Sequence, residues 1–260
     1  MVGTISSSLI RESSGLVHSR CQENVLWTHN DSGDKNRIFA VDTKGKLIGT
    51  WHVTGARNRD WEDMSTFKDE NGKCFLFVGD TGNNGRLRSN VTIYKLEEPI
   101  VTKQKGKTPA TARAEAISFP YPDLRHDSEA IFVHPKSQDL YVITKRITGA
   151  AGVYRIKKGK RTAEKVTDIE VPSVPNGLIT GAAISPDGER VLLCDYFGGY
   201  EFRLPEDSES FDDIWKVQGE LVDLGTRAQG EAVAYSSDGL SIYATSEKRN
   251  SPLIKVTLVE

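Results

Sequence analysis

The chain has 260 residues, with 34 Lys and Arg against 36 Asp and Glu, for a formal net charge of −2. That balance excludes a polyanion-coating protein and sets nucleic acid aside as a partner. At 37% hydrophobic and 27% charged residues, with 23 Gly and 10 Pro spread along it, the sequence is neither disordered nor collagenous.

Helical periodicity is almost absent, and short β-branched and aromatic runs bounded by Gly, Asn, Asp and Pro recur throughout. The expected class is all-β. One pattern recurs five times: an apolar strand, a turn, a second apolar strand, a polar loop and a third strand. In chain order the first copy reads Ser14–Val17, Val25–Thr28 and Arg37–Val41, and the second reads Glu62–Ser65, Phe75–Val78 and Val91–Tyr94. The third reads Glu129–Phe132, Leu140–Ile143 and Gly152–Ile156, and the fourth Gly181–Ile184, Val191–Cys194 and Gly199–Phe202. The fifth reads Glu231–Ala234, Ser241–Ala244 and Pro252–Val256. Small residues dominate the first strand of each copy, as crowding near an axis requires. The spacing of about 50 residues suits a blade of four antiparallel strands.

The pattern predicts a single domain over residues 1–260: a closed β-propeller of five blades, with six as the alternative. The segment Thr4–Ile10 would give the last blade its fourth strand and close the ring. Residues Thr102–Ala114, rich in Lys and Thr, read as an exposed excursion, and the acidic Pro205–Asp213 as a loop or one helical turn. Turns such as Ser185-Pro186-Asp187-Gly188 and Ser236-Ser237-Asp238-Gly239 carry ordinary turn chemistry.

No run approaches the roughly 20 apolar residues that cross a bilayer, so no membrane span is expected. Residues 1–19 lack the basic start and apolar core of a secretory signal, which reads as a cytoplasmic chain or the processed form of a secreted one. A monomer is expected. Cys21, Cys74 and Cys194 are widely spaced and odd in number, so no disulfide framework or thiolate zinc site is expected, and Cys74 and Cys194 read as small buried hydrophobes.

In a propeller the inter-blade crossovers emerge on the same face as the loops between second and third strands. That face should collect Asp60-Trp61-Glu62-Asp63, His126-Asp127-Ser128-Glu129 and Gln229-Gly230-Glu231 from the crossovers. From the loops it should receive His29-Asn30-Asp31, Gly79-Asp80-Thr81-Gly82-Asn83-Asn84, Lys145-Arg146, Asp195-Tyr196 and Glu247-Lys248-Arg249. Glu62, Glu129 and Glu231 occupy equivalent positions and should converge on the channel mouth, where three carboxylates repel unless compensated. Ca²⁺, which takes six to eight oxygen ligands, is the expected compensator, with Asn30, Asp31, Asp60, Asp80 and Asp127 able to add carboxylate and amide oxygens. Lys145, Arg146, Lys248 and Arg249 are the rival compensators. His29, His126, Asp31 and Lys145 are the candidate proton-transfer groups, and Trp61, Arg146, Tyr196 and Lys248 the candidate substrate contacts. There is no Gly-x-Ser-x-Gly elbow, phosphate loop, His-Glu-x-x-His or dinucleotide fingerprint.

Together, Leu26-Trp27-Thr28-His29-Asn30-Asp31-Ser32-Gly33-Asp34, Asp60-Trp61-Glu62-Asp63, Val78-Gly79-Asp80-Thr81-Gly82-Asn83-Asn84, His126-Asp127-Ser128-Glu129-Ala130 and Gln229-Gly230-Glu231-Ala232 resemble a family of largely uncharacterised bacterial β-propeller proteins. A second, local likeness joins Pro175-Asn176-Gly177-Leu178 and Ile184-Ser185-Pro186-Asp187-Gly188 to calcium propellers of the gluconolactonase and paraoxonase type. That resemblance implies Ca²⁺ in the central channel held by Glu, Asn and Asp, although Gly181 stands here where the other blades carry an acid. The expected function is a Ca²⁺-dependent hydrolase of an ester, lactone, phosphoester or glycosidic bond. The alternative is a non-catalytic module that binds a carbohydrate or other small molecule, a peptide or a protein on the same face.

Overall fold

In the computed structural model, which describes residues 1–102 and 108–258, each of the five copies becomes a four-stranded antiparallel sheet. The chain begins with β1 (Gly3–Ile5). Blade 1 is β2 (Ser13–His18), β3 (Val25–Asn30), β4 (Arg37–Asp42) and β5 (Leu47–His52), and blade 2 is β6 (Asp63–Lys68), β7 (Cys74–Asp80), β8 (Val91–Glu97) and β9 (Glu115–Phe119). Blade 3 is β10 (Ser128–Val133), β11 (Leu140–Thr144), β12 (Ala151–Ile156) and β13 (Glu164–Ile169). Blade 4 is β14 (Gly181–Ile184), β15 (Arg190–Cys194), β16 (Gly199–Arg203) and β17 (Glu220–Val222). Blade 5 is β18 (Gly230–Tyr235), β19 (Ser241–Ser246) and β20 (Ser251–Thr257), and β1 pairs with β20 as its outer strand, with Gly3 opposite Leu253. The N-terminal segment therefore closes the ring, with five blades and not six, although the strand is Gly3–Ile5 and not the whole of residues 4–10.

Burial follows the radial order. The inner strands β2, β10 and β18 are buried at every residue, whereas the outer strands β9 and β13 are largely exposed. A sheet buried on both faces needs apolar side chains on both, which is why these runs do not alternate. One apolar cluster fills each of the five blade interfaces. Trp27, Trp61 and Met64 lie between blades 1 and 2; Phe77, Ile131 and Val142 between 2 and 3; and Phe132, Leu193 and Trp215 between 3 and 4. Leu192, Val233 and Ile242 lie between blades 4 and 5, and Leu16, Phe39 and Leu253 join blade 5 back to blade 1.

The inner strands of neighbouring blades form no common ladder, so side chains satisfy the backbone groups that face the axis. Ser65 Oγ accepts from Val133 N at 3.0 Å, and Thr180 Oγ1 donates to Gly230 O at 2.8 Å. Asp63 goes further. It is fully buried; Oδ1 accepts from Met64 N at 2.8 Å, and Oδ2 accepts from Ile131 N at 2.9 Å and Ala182 N at 3.1 Å. One carboxyl thus joins blades 2, 3 and 4.

One sequence expectation changes. Cys21 and Cys74 form a disulfide across 53 residues, so Cys74 is a cross-link and not a simple packing residue; Cys194 is free and buried as expected. Blade geometry brings the β2–β3 loop beside the start of β7, a proximity that spacing along the chain conceals. In the 102–114 excursion, residues 103–107 lie outside the described residues, and Pro109 to Ala114 run along the edge of β5 and beyond it. There His52 N donates to Pro109 O and Ala114 N to Thr54 O. The 205–213 insertion leads into a 3₁₀ turn, Phe211–Lys216, that buries Ile214 and Trp215. No helix among the described residues is long and apolar enough to cross a membrane.

Candidate functional site

The crossovers and the loops after each second strand gather acidic side chains at one end of the ring. Asp31 follows β3, Asp60 and Glu62 immediately precede β6, Asp127 precedes β10 and Glu129 is its second residue. Asp31, Asp60 and Glu62 each offer a carboxylate oxygen within 4.8 Å of the other two, and Glu62, Asp127 and Glu129 do the same. Glu62 belongs to both groups and is the centre of a five-carboxylate cluster.

Glu62 is only 5% exposed, and no hydrogen bond or ion pair reaches its carboxylate among the described residues. Burial, reinforced by the charges of Glu129, Asp31, Asp60 and Asp127, pushes its pKa well above the carboxylate range. Gly82 makes the crowding feasible, because a Cβ there would stand 2.1 Å from Glu62 Oε1 and 2.5 Å from Asp60 Oδ2. Asp31 is raised to about 6 by burial, with Asp60 and Glu247 adding to it, and Asp60 is raised by burial and then Asp127. Asp127 is steadied by Asn83 N at 2.6 Å, while Asn83 Nδ2 donates to His126 O and Arg88 O.

One cation is built into the cluster. Lys145 Nζ donates to Glu129 Oε1 at 2.6 Å and to Tyr196 OH at 2.9 Å. Burial opposes the Lys145 ammonium, but Glu129 and Tyr196 outweigh it and raise its pKa; on Glu129, burial pushes up against the pull of Lys145. Tyr196 is half-buried, with its own pKa raised by burial. The other rival compensators stand apart: Lys248 and Arg249 are exposed, and Arg146 is half-buried with its backbone N bonded to Gly177 O. Within the cluster, five carboxylates face one ammonium.

Two expected ligands lie outside both groups. Asp80 is paired with Arg88 Nη1 at 3.0 Å and accepts from Asp60 N at 3.0 Å. Glu231 accepts from Gln229 Nε2 at 2.9 Å, and the same amide also binds Glu247; burial and Glu247 push the Glu231 carboxyl up.

Three placements correct the sequence expectations. Trp61 is not a ligand contact: it is fully buried, its Nε1 donates to Arg57 O at 2.9 Å, and its ring packs on His29 and Tyr94. His29 is not in a loop but near the end of β3, fully enclosed against Trp61, with Nδ1 2.9 Å from Asn30 O. Burial lowers its pKa to about 4, so it is neutral, and it presents no edge to solvent. His126 is buried with Nε2 2.9 Å from both Asp123 Oδ1 and Tyr154 OH, and Tyr121 stands edge-on to its ring. Sequence reasoning placed Gly82 and Asn83 on this face without a role; the spacing between Gly82 and the two carboxylates it admits is visible only in three dimensions.

The cluster fits a hard divalent ion. All its donors are carboxylate oxygens, with no thiolate or imidazole in either group, a set suited to Ca²⁺, Mg²⁺ or Mn²⁺ and poorly suited to zinc or copper.

No family model matches the chain, and no curated protein matches it. Among solved structures, a chain of hydrazine synthase from Kuenenia stuttgartiensis aligns with a TM-score of 0.53 at 13% identity, covering 97% of each chain. At that identity the likeness concerns the fold alone, a β-propeller.

Proposed function

We propose that this face holds a divalent hard cation of the Ca²⁺ class through Glu62, Asp60, Asp127 and Glu129, with Asp31 beside it, and that the protein hydrolyses an ester, lactone, phosphoester or glycosidic bond there. The observation that carries the reading is Glu62: a carboxylate that is 5% exposed, with four others around it and no hydrogen bond to it among the described residues. Crowding carboxylates in a largely buried place disfavours their charged forms, a cost that a bound cation would offset.

When bound, the ion would polarise a substrate oxygen. Asp31, its side chain half-buried at the edge of the cluster, is the carboxylate placed to take up a proton from a water beside the ion. Lys145 and Tyr196 hold Glu129 in place and present N–H and O–H groups to the mouth. His29 takes no part, because it is fully enclosed, and His126 Nε2 is committed to Asp123 and Tyr154. That enclosure is also what favours the second reading, a module that binds an oxygen-rich ligand without cleaving it.

Thermal unfolding after exhaustive chelation, and then with Ca²⁺, Mg²⁺, Mn²⁺ or Zn²⁺, tests the cation. At about 100 times Kd, linkage predicts roughly 2.7 kcal/mol. That is about 5 °C in Tm for a chain of this length. Glu62→Gln should abolish the shift, and no shift with any ion refutes the site. Turnover on a panel of nitrophenyl esters, lactones, phosphoesters and glycosides then separates the readings. Asp31→Asn should remove turnover while keeping the ion-induced shift, and absence of turnover by an ion-loaded protein leaves the binding module.

A further inference from the structure

Beside the acid cluster lies a groove of about 490 Å³ between the crossover that carries Arg57 and Arg59 and the loop that joins β7 to β8, lined also by Arg88, Ser89, Asn90 and Asp80. Its size is that of a small-molecule site. Arg88 is already committed: its guanidinium donates to Asp80 Oδ1 at 3.0 Å, Asp80 O at 2.8 Å and Gly82 O at 2.8 Å. Arg57 and Arg59 are exposed, and their guanidinium groups make no hydrogen bond or ion pair among the described residues. Elsewhere, basic side chains close to a carboxylate pair with it, as in Arg37 with Asp34 at 2.8 Å and Arg155 with Asp212 at 2.5 Å. Here two guanidinium groups stand free within a few residues of the most acidic part of the molecule. With Asp80 neutralised by Arg88, the groove keeps an excess positive charge.

The two regions share a wall. Asp60, a member of the acid cluster, donates its backbone N–H to Asp80, which lines the groove, and Arg59 directly precedes Asp60 in the chain. The groove and the acid cluster are thus neighbours, divided by the Asp60 backbone and the Asp80 side chain. We propose that Arg57 and Arg59 receive the anionic group of the substrate, a phosphate-class oxyanion, so that the substrate is a phosphorylated small molecule. Guanidinium groups match phosphate oxygens in a planar, two-point geometry that an ammonium cannot reproduce, and the exposed Ser89 and Asn90 add further donors. The choice of substrate rests on reading the acid cluster as the cation site; the anion site itself does not.

Calorimetric titration with phenyl phosphate, and with phenol as its uncharged counterpart, tests this on the full chain with and without Ca²⁺. The wild-type protein should bind phenyl phosphate and not phenol. The double variant Arg57→Ala/Arg59→Ala should bind it at least about tenfold more weakly while retaining the Ca²⁺-induced shift in Tm. Lys68→Ala, which removes an exposed charge at the far end of β6, should change nothing. Undiminished binding by the double variant overturns the proposal, as does a Ca²⁺-responsive wild type that ignores phenyl phosphate. A protein that binds phenyl phosphate through Arg57 and Arg59 but shows no response to any cation keeps the groove and loses the cation reading.

Discussion

The Cys21–Cys74 bridge ties the β2–β3 loop of blade 1 to the start of β7 in blade 2, the two blades whose interface carries the Asp60–Asp63 crossover. Replacing both cysteines by serine frees a loop of 53 residues in the unfolded chain. The chain-entropy relation gives about 4 kcal/mol for a loop of that length. With an unfolding entropy of about 2.1 cal/mol/K per residue, this corresponds to a fall in Tm of about 7 °C. The figure is an upper bound, because the ring already restrains both blades. The assay is a thermal melt of wild type with and without reductant beside Cys21→Ser/Cys74→Ser, with a thiol count in denaturant. One thiol, from Cys194, should titrate without reductant and three with it. Three thiols in unreduced protein, or a reductant and a double variant that both leave Tm unchanged, would refute the argument.

Protonation of the cluster sets a second expectation. Asp31, Glu62 and Asp60 all have raised pKa values in the folded state, with Asp31 at about 6, so the folded protein binds protons that the unfolded chain has released. Their stabilisation is complete below the ordinary carboxylate pKa, about 4, and is lost as pH rises through 6 and beyond. The Ca²⁺-induced shift in Tm should therefore grow as pH rises from about 4 through 6, because the ion competes with protons the folded carboxylates retain; a shift that shrinks over that range refutes the assignment. The Tm of the chelated protein is not itself the test, since buried His29, lowered to about 4, gains stability over the same range. Gly82→Ala would drive a methyl into Glu62 and Asp60, and should weaken Ca²⁺ at least about tenfold by calorimetry, with a smaller effect on Tm of the chelated protein. Unaltered affinity would mean that neither carboxylate is a ligand.

The architecture was legible because its evidence is periodic. Small-residue strands such as Gly181–Ile184 recur beside fully apolar ones such as Val191–Cys194, and only a ring puts the first kind at a crowded axis. The convergence of Glu62 and Glu129 followed from that same symmetry. What escaped notice depends on the last turn of the chain. Trp61 sits between Asp60 and Glu62, and its charged neighbours suggest exposure, yet its indole swings into the space between blades 1 and 2 and its N–H is satisfied by Arg57 O. Asn30, Asp31 and Ser32 give His29 the sequence context of a loop, whereas β3 continues to Asn30. Glu231 occupies the equivalent position in blade 5 but turns to Gln229, a partner that blades 2 and 3 lack at this position. Repetition fixes where a side chain starts, and the local neighbours decide where it ends.

Asp63, next in sequence to Glu62, accepts hydrogen bonds from its own and two other blades. The main chain that carries Glu62 is therefore anchored to three blades at once before any ligand arrives. An anchored carboxylate needs little reordering on binding, so the entropy that a mobile loop would lose on meeting an ion has already been lost in folding.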